Sequence, residues 1–277
     1  MSVEPPAHSD AVKVAFPAEH VLLLSMNRPK SLNAMSFDME QDLRTLLDWF
    51  DEEPSLWVVI ITGEGRAFCA GADLKLWKKK KDEGYNDQER IAANVHGFGS
   101  LSRRIMAKPI IACVNGDAYG GAVEILLNCD LVISSEDASF ALPEVKRGVI
   151  AAQGVIPRLR TSSGHQRAAE MLLLGRKITA AEAQQRFGFV NLVVPRSQLL
   201  STAVDWAKEI TQNSPDAVQA TKRGLVIASR TGDNERAVLD HAWSTESKRA
   251  YTGENIKEGL KAFSERRAPR WKNPAKL

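Results

Sequence analysis

The stretch Asn115-Gly116-Asp117-Ala118-Tyr119-Gly120-Gly121-Ala122-Val123-Glu124 follows the apolar run Ile110-Ile111-Ala112-Cys113-Val114 and leads into a helical pattern that closes at Asn128. A β-rich run, a turn of small residues and a helix, in that order, make a strand-to-helix unit. Small residues in the turn let a ligand approach the backbone, and the first amides of the helix point outward without internal partners. The helix carries an acid in its first turn, Glu124, among Ala122, Val123, Ile125, Leu126 and Leu127. A carboxylate in such company is poorly solvated and needs a partner or a task. The bland reading is a first-turn acid satisfied by the helix dipole.

A second unit of the same kind lies upstream, where Trp57-Val58-Val59-Ile60-Ile61 is followed by Phe68-Cys69-Ala70-Gly71-Ala72-Asp73-Leu74-Lys75. Either turn alone is equally well explained by tight packing. Side by side, the two would offer two N–H donors to one oxygen, which suits a thioester carbonyl gaining charge as it becomes an enolate. A second acid, Glu144, closes Ser139-Phe140-Ala141-Leu142-Pro143-Glu144.

Working outward, further strand-like runs occur at 21–24, 131–133 and 192–194. A helix is expected over 36–51, capped by Ser36, with Phe37, Leu43, Leu46, Leu47 and Phe50 spaced by about three or four. Another is expected over 91–106, in which His96 is a surface or packing residue and not a ligand. After residue 195 the pattern turns to long helical stretches at 197–212, 215–229, 232–251 and 254–265. The organisation read from this is a flexible tail at 1–10, an α/β core with the active site at 11–195 and a helical region at 196–277. The tract Lys78-Lys79-Lys80-Lys81 reads as a solvated helix end, and the polar stretch to about residue 90 as a flap beside Ala70-Gly71-Ala72.

The 277 residues are 44% hydrophobic and 26% charged, the composition of a globular protein. With 37 basic against 34 acidic residues the net charge is only +3, so nothing resembles a bulk polycation for nucleic acid. The lysine tract and the basic stretch Arg266-Arg267-Ala268-Pro269-Arg270-Trp271-Lys272 come without a nucleic-acid-binding motif. No run approaches a membrane span, and no secretory or mitochondrial leader is evident. Three cysteines without metal-ligand spacing suggest a reducing compartment and no metal site. Ala275-Lys276-Leu277 differs from the Ser-Lys-Leu peroxisomal address by one small residue, so the expected location is peroxisomal, by way of the import receptor, in a eukaryote and cytoplasmic otherwise.

Five ordered segments together resemble the crotonase superfamily, closest to enoyl-CoA hydratase. They are Met26-Asn27-Arg28-Pro29-Lys30-Ser31-Leu32-Asn33-Ala34, Phe68 to Lys75, Asn115 to Glu124 with Cys129-Asp130, Phe140 to Glu144 with Gly148, and Gly259-Leu260-Lys261-Ala262-Phe263-Ser264-Glu265-Arg266-Arg267. The resemblance runs from about residue 20 to 270. It implies an α/β fold, a spiral of ββα units with a helical C-terminal trimerisation region, assembled as a homotrimer or a dimer of trimers.

The resemblance also implies roles. The amides of Ala72 and Gly121 would form an oxyanion hole. Lys30, Ser31, Leu32, Ala70, Asp73, Leu74 and Lys75 would line a coenzyme A site, joined by Phe263 and Arg266, in part across a subunit boundary. Some of the basic residues near the C-terminal end would meet coenzyme A phosphates. Hydratases of this family have glutamates at the positions of both Glu124 and Glu144, whereas many isomerases keep only one. The implied activity is syn addition of water to a 2-trans-enoyl-CoA, giving a 3-hydroxyacyl-CoA. Coenzyme A is then part of the substrate, and no separate cofactor is expected. A Δ3-Δ2 isomerase and a weakly active binding subunit of the same fold are the alternatives.

In this scheme Glu124 holds and deprotonates the water while Glu144 supplies the proton to Cα, the two acids titrating as a coupled pair. The sequence departs from the family at three places. Ala122 replaces a usual glycine, Asp117 stands where an aromatic or small residue is common, and Ala151-Ala152-Gln153-Gly154-Val155 replaces a Pro-Gly-x-Gly-Gly run. A backbone amide from Ala152 could still position the water, but the acyl pocket is reshaped. Fatty-acid β-oxidation and a dedicated secondary-metabolite route fit the sequence equally.

Overall fold

The computed structural model describes residues 3–84 and 86–274, apart from the side chains of Lys80 and Arg90. Ala275-Lys276-Leu277 lies outside the described residues. The chain opens with β1 (Val12–Ala18) and β2 (Val21–Met26), then α1 (Phe37–Glu52), β3 (Val58–Gly63), β4 (Ala67–Cys69), α2 (Leu74–Asp82) and α3 (Asp87–Ala93). The middle contains β5 (Ile110–Val114), β6 (Asp117–Tyr119), α4 (Gly121–Leu126), β7 (Leu131–Ser135) and β8 (Ser139–Ala141). It continues through α5 (Val155–Ser163), α6 (His165–Leu174), β9 (Lys177–Thr179), α7 (Ala180–Gln185) and β10 (Leu192–Val194). Helices α8 (Leu199–Thr211), α9 (Pro215–Ala228), α10 (Asn234–Ala242), α11 (Thr245–Thr252) and α12 (Glu254–Glu265) complete it.

From β3 to β8 successive strands alternate between two sheets. The large one has the order β1-β2-β3-β5-β7-β10 and the small one β4-β6-β8-β9. Thus β3, β5 and β7 each hand the chain to β4, β6 and β8, one strand per sheet per turn, which is the spiral of ββα units. All pairings are parallel except β1 with β2 and β8 with β9.

The inner strands β2, β3 and β5 of the large sheet are buried on both faces, and they therefore read as nearly continuous apolar runs. Side chains still alternate with a period of two. Leu22, Leu24, Met26, Val59, Ile61, Ile110, Ala112 and Val114 enter the main core with Phe68 and Phe140 of the small sheet. Val21, Leu23, Val58, Ile60, Ile111 and Cys113 face the other way, onto Leu199, Ala203 and Ala207 of α8. Each large aliphatic side chain so buried contributes on the order of 1.5–3 kcal/mol of transfer free energy.

Ser36 caps α1 by accepting from the Met39 amide at 3.3 Å, and Leu43, Leu46, Leu47 and Phe50 are buried. Phe37 is different: it belongs to the same apolar series but is 68% exposed. The lysine tract does lie toward the end of α2, where Lys81 pairs with Asp87 at 3.1 Å.

Two helical expectations need correction. No helix spans 91–106: α3 stops at Ala93, and Gly97 and Gly99 adopt positive φ angles of 71° and 61°. Asn94 closes that turn, accepting from the Gly97 amide at 3.0 Å and donating to its carbonyl at 3.1 Å. The stretch 232–251 is two helices, because Ser244 takes an extended conformation and caps a new one through the Ser247 amide. The three cysteines are free, and burial pushes the Cys69 thiol up to about 12.

Candidate active site

The first residues beyond β4, β6 and β8 converge on one cavity of about 400 Å³. Parallel strands of the small sheet point their carboxyl ends at it, the usual place for a ligand in an α/β sheet. Its wall includes Ala70 to Leu74 after β4, Tyr119 to Gly121 around the end of β6, and Pro143-Glu144 after β8. Glu124 and Val149 to Gln153 complete the inner part, and Phe37, Leu76, Trp77 and Ile91 are also part of the lining.

What brings the two glycine turns together is a missing side chain. Gly71 has a φ of 89°, and a Cβ there would stand 2.7 Å from the carbonyl oxygen of Tyr119. The turn after β4 therefore lies against the turn after β6. The parallel bridge Met35–Ala72 uses the Gly71 carbonyl and the Asp73 amide, at 2.8 and 3.3 Å, which leaves the Ala72 amide facing away from the ladder. Gly121 is the first residue of α4, preceded by Gly120, which has no side chain to cap it. Its amide is one of the donors that a helix start leaves without an internal partner. Phe98 fixes its position from behind, since a Cβ on Gly121 would meet the Phe98 ring at 2.5 Å.

Glu124 is 3% exposed. Its Oε1 accepts from the Gln153 amide at 2.7 Å and, more weakly, from the Val155 amide at 3.5 Å. Burial raises its pKa, while those two amides and the nearby Arg158 charge pull the other way. Glu144 sits in the short 3-10 turn Glu144–Arg147. Burial, with the Glu124 charge adding to it and its own backbone amide opposing, pushes its carboxyl up to about 7. Its Oε2 is buried and meets no donor among the described residues. A second carboxylate, poor solvation and an unmatched oxygen all favour the protonated acid. Gly120 makes room for it: a Cβ there would be 3.0 Å from Glu144 Oε1.

Of the residues singled out from sequence, Ala70, Ala72, Asp73, Leu74, Gly121, Glu124, Glu144 and Ala152 share this cavity. Lys30, Ser31, Leu32 and Lys75 are outside its wall, although the Leu32 carbonyl accepts from the Ala70 amide at 2.9 Å. Asp73 is engaged with Arg28 at 3.5 Å. Phe263 and Arg266 lie at the end of α12, exposed and away from the cavity of the same chain. The unusual Asp117 is accommodated by Ser139, which donates to it at 2.5 Å, and by Lys177 at 3.8 Å.

Sequence reasoning missed Phe98, Arg158 and the Gln153 amide that reaches Glu124, next to the Ala152 it singled out for the water. Phe98 was hidden by the helix expected over 91–106; Arg158 gives no local signal.

A model of the family described as enoyl-CoA hydratase/isomerase matches residues 17–274. Among curated relatives, a mevalonyl-coenzyme A hydratase of Aspergillus fumigatus is 43% identical over 279 residues, covering 100% of both chains. A mevalonyl-coenzyme A hydratase of Beauveria bassiana is 42% identical, covering 98% of this chain and 97% of that one. The crystal structure of an enoyl-CoA hydratase from Mycobacterium tuberculosis superposes with a TM-score of 0.85 at 33% identity, over 96% of this chain and 100% of the other. With its spiral of ββα units and its match along nearly the whole length, the chain belongs to the enoyl-CoA hydratase/isomerase family.

Proposed function

We propose that the chain adds water reversibly across the 2-trans double bond of an enoyl-CoA thioester. The observation that carries this reading is the pair Glu124 and Glu144 on one cavity, with different surroundings. Glu124 is held by two amides, which favour its ionised form, and Glu144 has an unmatched oxygen and a pKa pushed up to about 7. One is suited to act as base and the other as acid.

In the hydration direction Glu124 takes a proton from water as the oxygen bonds to Cβ. The electron pair of the double bond moves toward the thioester oxygen, which the Ala72 and Gly121 amides receive. Glu144 then gives its proton to Cα, and the net transfer between the two acids is reset by exchange with solvent. Dehydration runs the same steps backwards. Two relatives are named for mevalonyl-coenzyme A, whose acyl chain is branched at Cβ and carries a further hydroxyl. A short, β-branched acyl chain is accordingly the substrate class we assign to this chain.

We also assign it an oligomer, a trimer or a dimer of trimers. Leu225, Val238, Leu239, Trp243, Tyr251, Leu260 and Phe263 of the last helices and the residue after α10 are all more than half exposed. Apolar exposure of that extent calls for a partner surface, and in the assembly Phe263 and Arg266 would serve a neighbouring coenzyme A site.

The test is an assay of the purified protein on crotonyl-CoA, 3-methylcrotonyl-CoA and a 3-enoyl-CoA. Loss of the conjugated-thioester absorbance with the first two is expected. A double-bond shift in the third without hydration of either conjugated thioester would replace the hydratase reading by an isomerase.

A further inference from the structure

Beside the reacting centre one polar group is left without work by the mechanism. Gln153 lines the cavity, and its backbone amide is committed to Glu124. Its side chain is not: Oε1 is buried and meets no donor among the described residues. A buried amide oxygen without a donor is costly, and native structures rarely keep one without a reason. The neighbours along this wall are Val149, Ile150, Ala151 and Ala152, and none has a polar side chain.

The terminal torsion of a glutamine is soft, so the carboxamide can turn its oxygen or its nitrogen to the cavity at small cost. An all-carbon acyl chain would leave the oxygen unmet. A hydroxyl group, which donates and accepts, would satisfy either. The backbone of this position is anchored to Glu124 through its own amide, which fixes where the side chain starts relative to that acid.

We propose that the Gln153 side chain is a specificity residue that hydrogen-bonds a hydroxyl of the acyl chain beyond Cβ, selecting hydroxylated over purely hydrocarbon acyl-CoA thioesters. This rests on the assignment of the cavity to an acyl-CoA. A site built to bond a hydroxyl discriminates against the analogue that lacks it far more strongly than an apolar pocket distinguishes one methylene.

The test separates binding from catalysis by using two thioesters that do not react, 5-hydroxy-3-methylpentanoyl-CoA and 3-methylpentanoyl-CoA. Their affinities are measured by titration calorimetry on the full-length protein and on Gln153→Met and Gln153→Leu. Methionine keeps the length of the side chain and removes both polar atoms, so the two variants guard against one that does not fold. The wild type is expected to bind the hydroxylated ligand about tenfold or more tighter, and the ratio to fall near one in either variant. Equal affinities in the wild type, or a preference that survives both substitutions, would overturn the proposal. A preference that depends on Gln153 in a protein unable to hydrate any enoyl-CoA would leave this proposal standing and remove the hydratase reading. Hydration without the preference would do the reverse.

Discussion

Gln153 donates its backbone N–H to Glu124 Oε1 at 2.7 Å. Through that bond the segment 151–155, which departs from the family pattern, holds the acid of α4. The residue that holds Glu124, the proposed base, therefore belongs to the segment that lines the cavity. On the proposed mechanism, one backbone segment would couple substrate choice to the placement of the base.

Replacing either acid should affect turnover far more than binding. Glu124→Gln and Glu144→Gln are each expected to lower kcat by about 10²–10⁴, the range in which a positioned acid or base contributes. Coenzyme A thioester affinity, measured by calorimetry, should stay within a few-fold. A variant that loses affinity and keeps kcat would assign its glutamate to binding instead.

The pH profile follows from the two environments. The proposed mechanism requires Glu124 ionised and Glu144 protonated, so the rate should fall on the acid side as Glu124 gains a proton. It should fall on the alkaline side as Glu144 loses its proton, near 7. Stability has its own sign. A carboxyl whose folded pKa lies above its ordinary value of 4.5 keeps its proton longer in the folded state. The stability it contributes is full below that ordinary value and is lost as pH rises through about 7. Glu144→Gln lacks this loss and should exceed the wild type by about 1–2 kcal/mol at alkaline pH, allowing for partial exposure of the group. Denaturant melts at acid and alkaline pH check it, and an advantage confined to acid pH would contradict it.

Arg158 tests the tuning of the base without touching either acid. Its charge lowers the Glu124 pKa, against the larger effect of burial. Arg158→Gln should move the acid limb of the kcat/KM profile to higher pH while leaving the alkaline limb in place. An unmoved acid limb would show that the limb belongs to another group.

Gly120 is a backbone position where a methyl group should disturb the second acid directly. Its φ is 59°, and a Cβ would stand 3.0 Å from Glu144 Oε1. Gly120→Ala is expected to cost about 1–2 kcal/mol of stability through backbone strain. It should also lower kcat at least tenfold by displacing the acid. Comparable activity to wild type would mean that Glu144 does not need its present position.

A control far from the cavity should separate stability from chemistry. Lys222 donates to Asp130 Oδ2 and to the Lys108 carbonyl, both at 2.7 Å, and is itself buried. Lys222→Met removes one partner of a mostly buried pair and should destabilise by about 2–4 kcal/mol, with kcat unchanged in folded protein. Thermal melts and initial rates measure the two effects separately.

The strand-to-helix units were legible because β3 and β5 are apolar runs that end in glycine turns, and the order of those turns marked both acids; the spiral itself was implied only by the resemblance to the family. The small sheet was not legible. Ala67–Cys69, Asp117–Tyr119 and Ser139–Ala141 are three residues each, too short for a period of two to declare itself. Without that sheet, nothing in the sequence shows that three strand ends meet at one cavity. Phe98 was unreadable for a related reason, since Gly97 and Gly99 break a stretch whose flanks look helical. Phe37 followed the helical period of α1 correctly but faces the cavity, because a period gives a face and not what lies opposite it.

The paired glutamates are proposed to bring water to Cβ. Incubation of 3-methylcrotonyl-CoA or crotonyl-CoA with the wild-type enzyme in oxygen-18 water, followed by mass spectrometry of the acyl-CoA, tests it directly. One oxygen-18 atom in a 3-hydroxyacyl-CoA product, with its appearance slowed by about two orders of magnitude or more in both Glu124→Gln and Glu144→Gln, is the result expected. A product with its double bond moved and no oxygen-18, or hydration that proceeds unchanged in either variant, would contradict it.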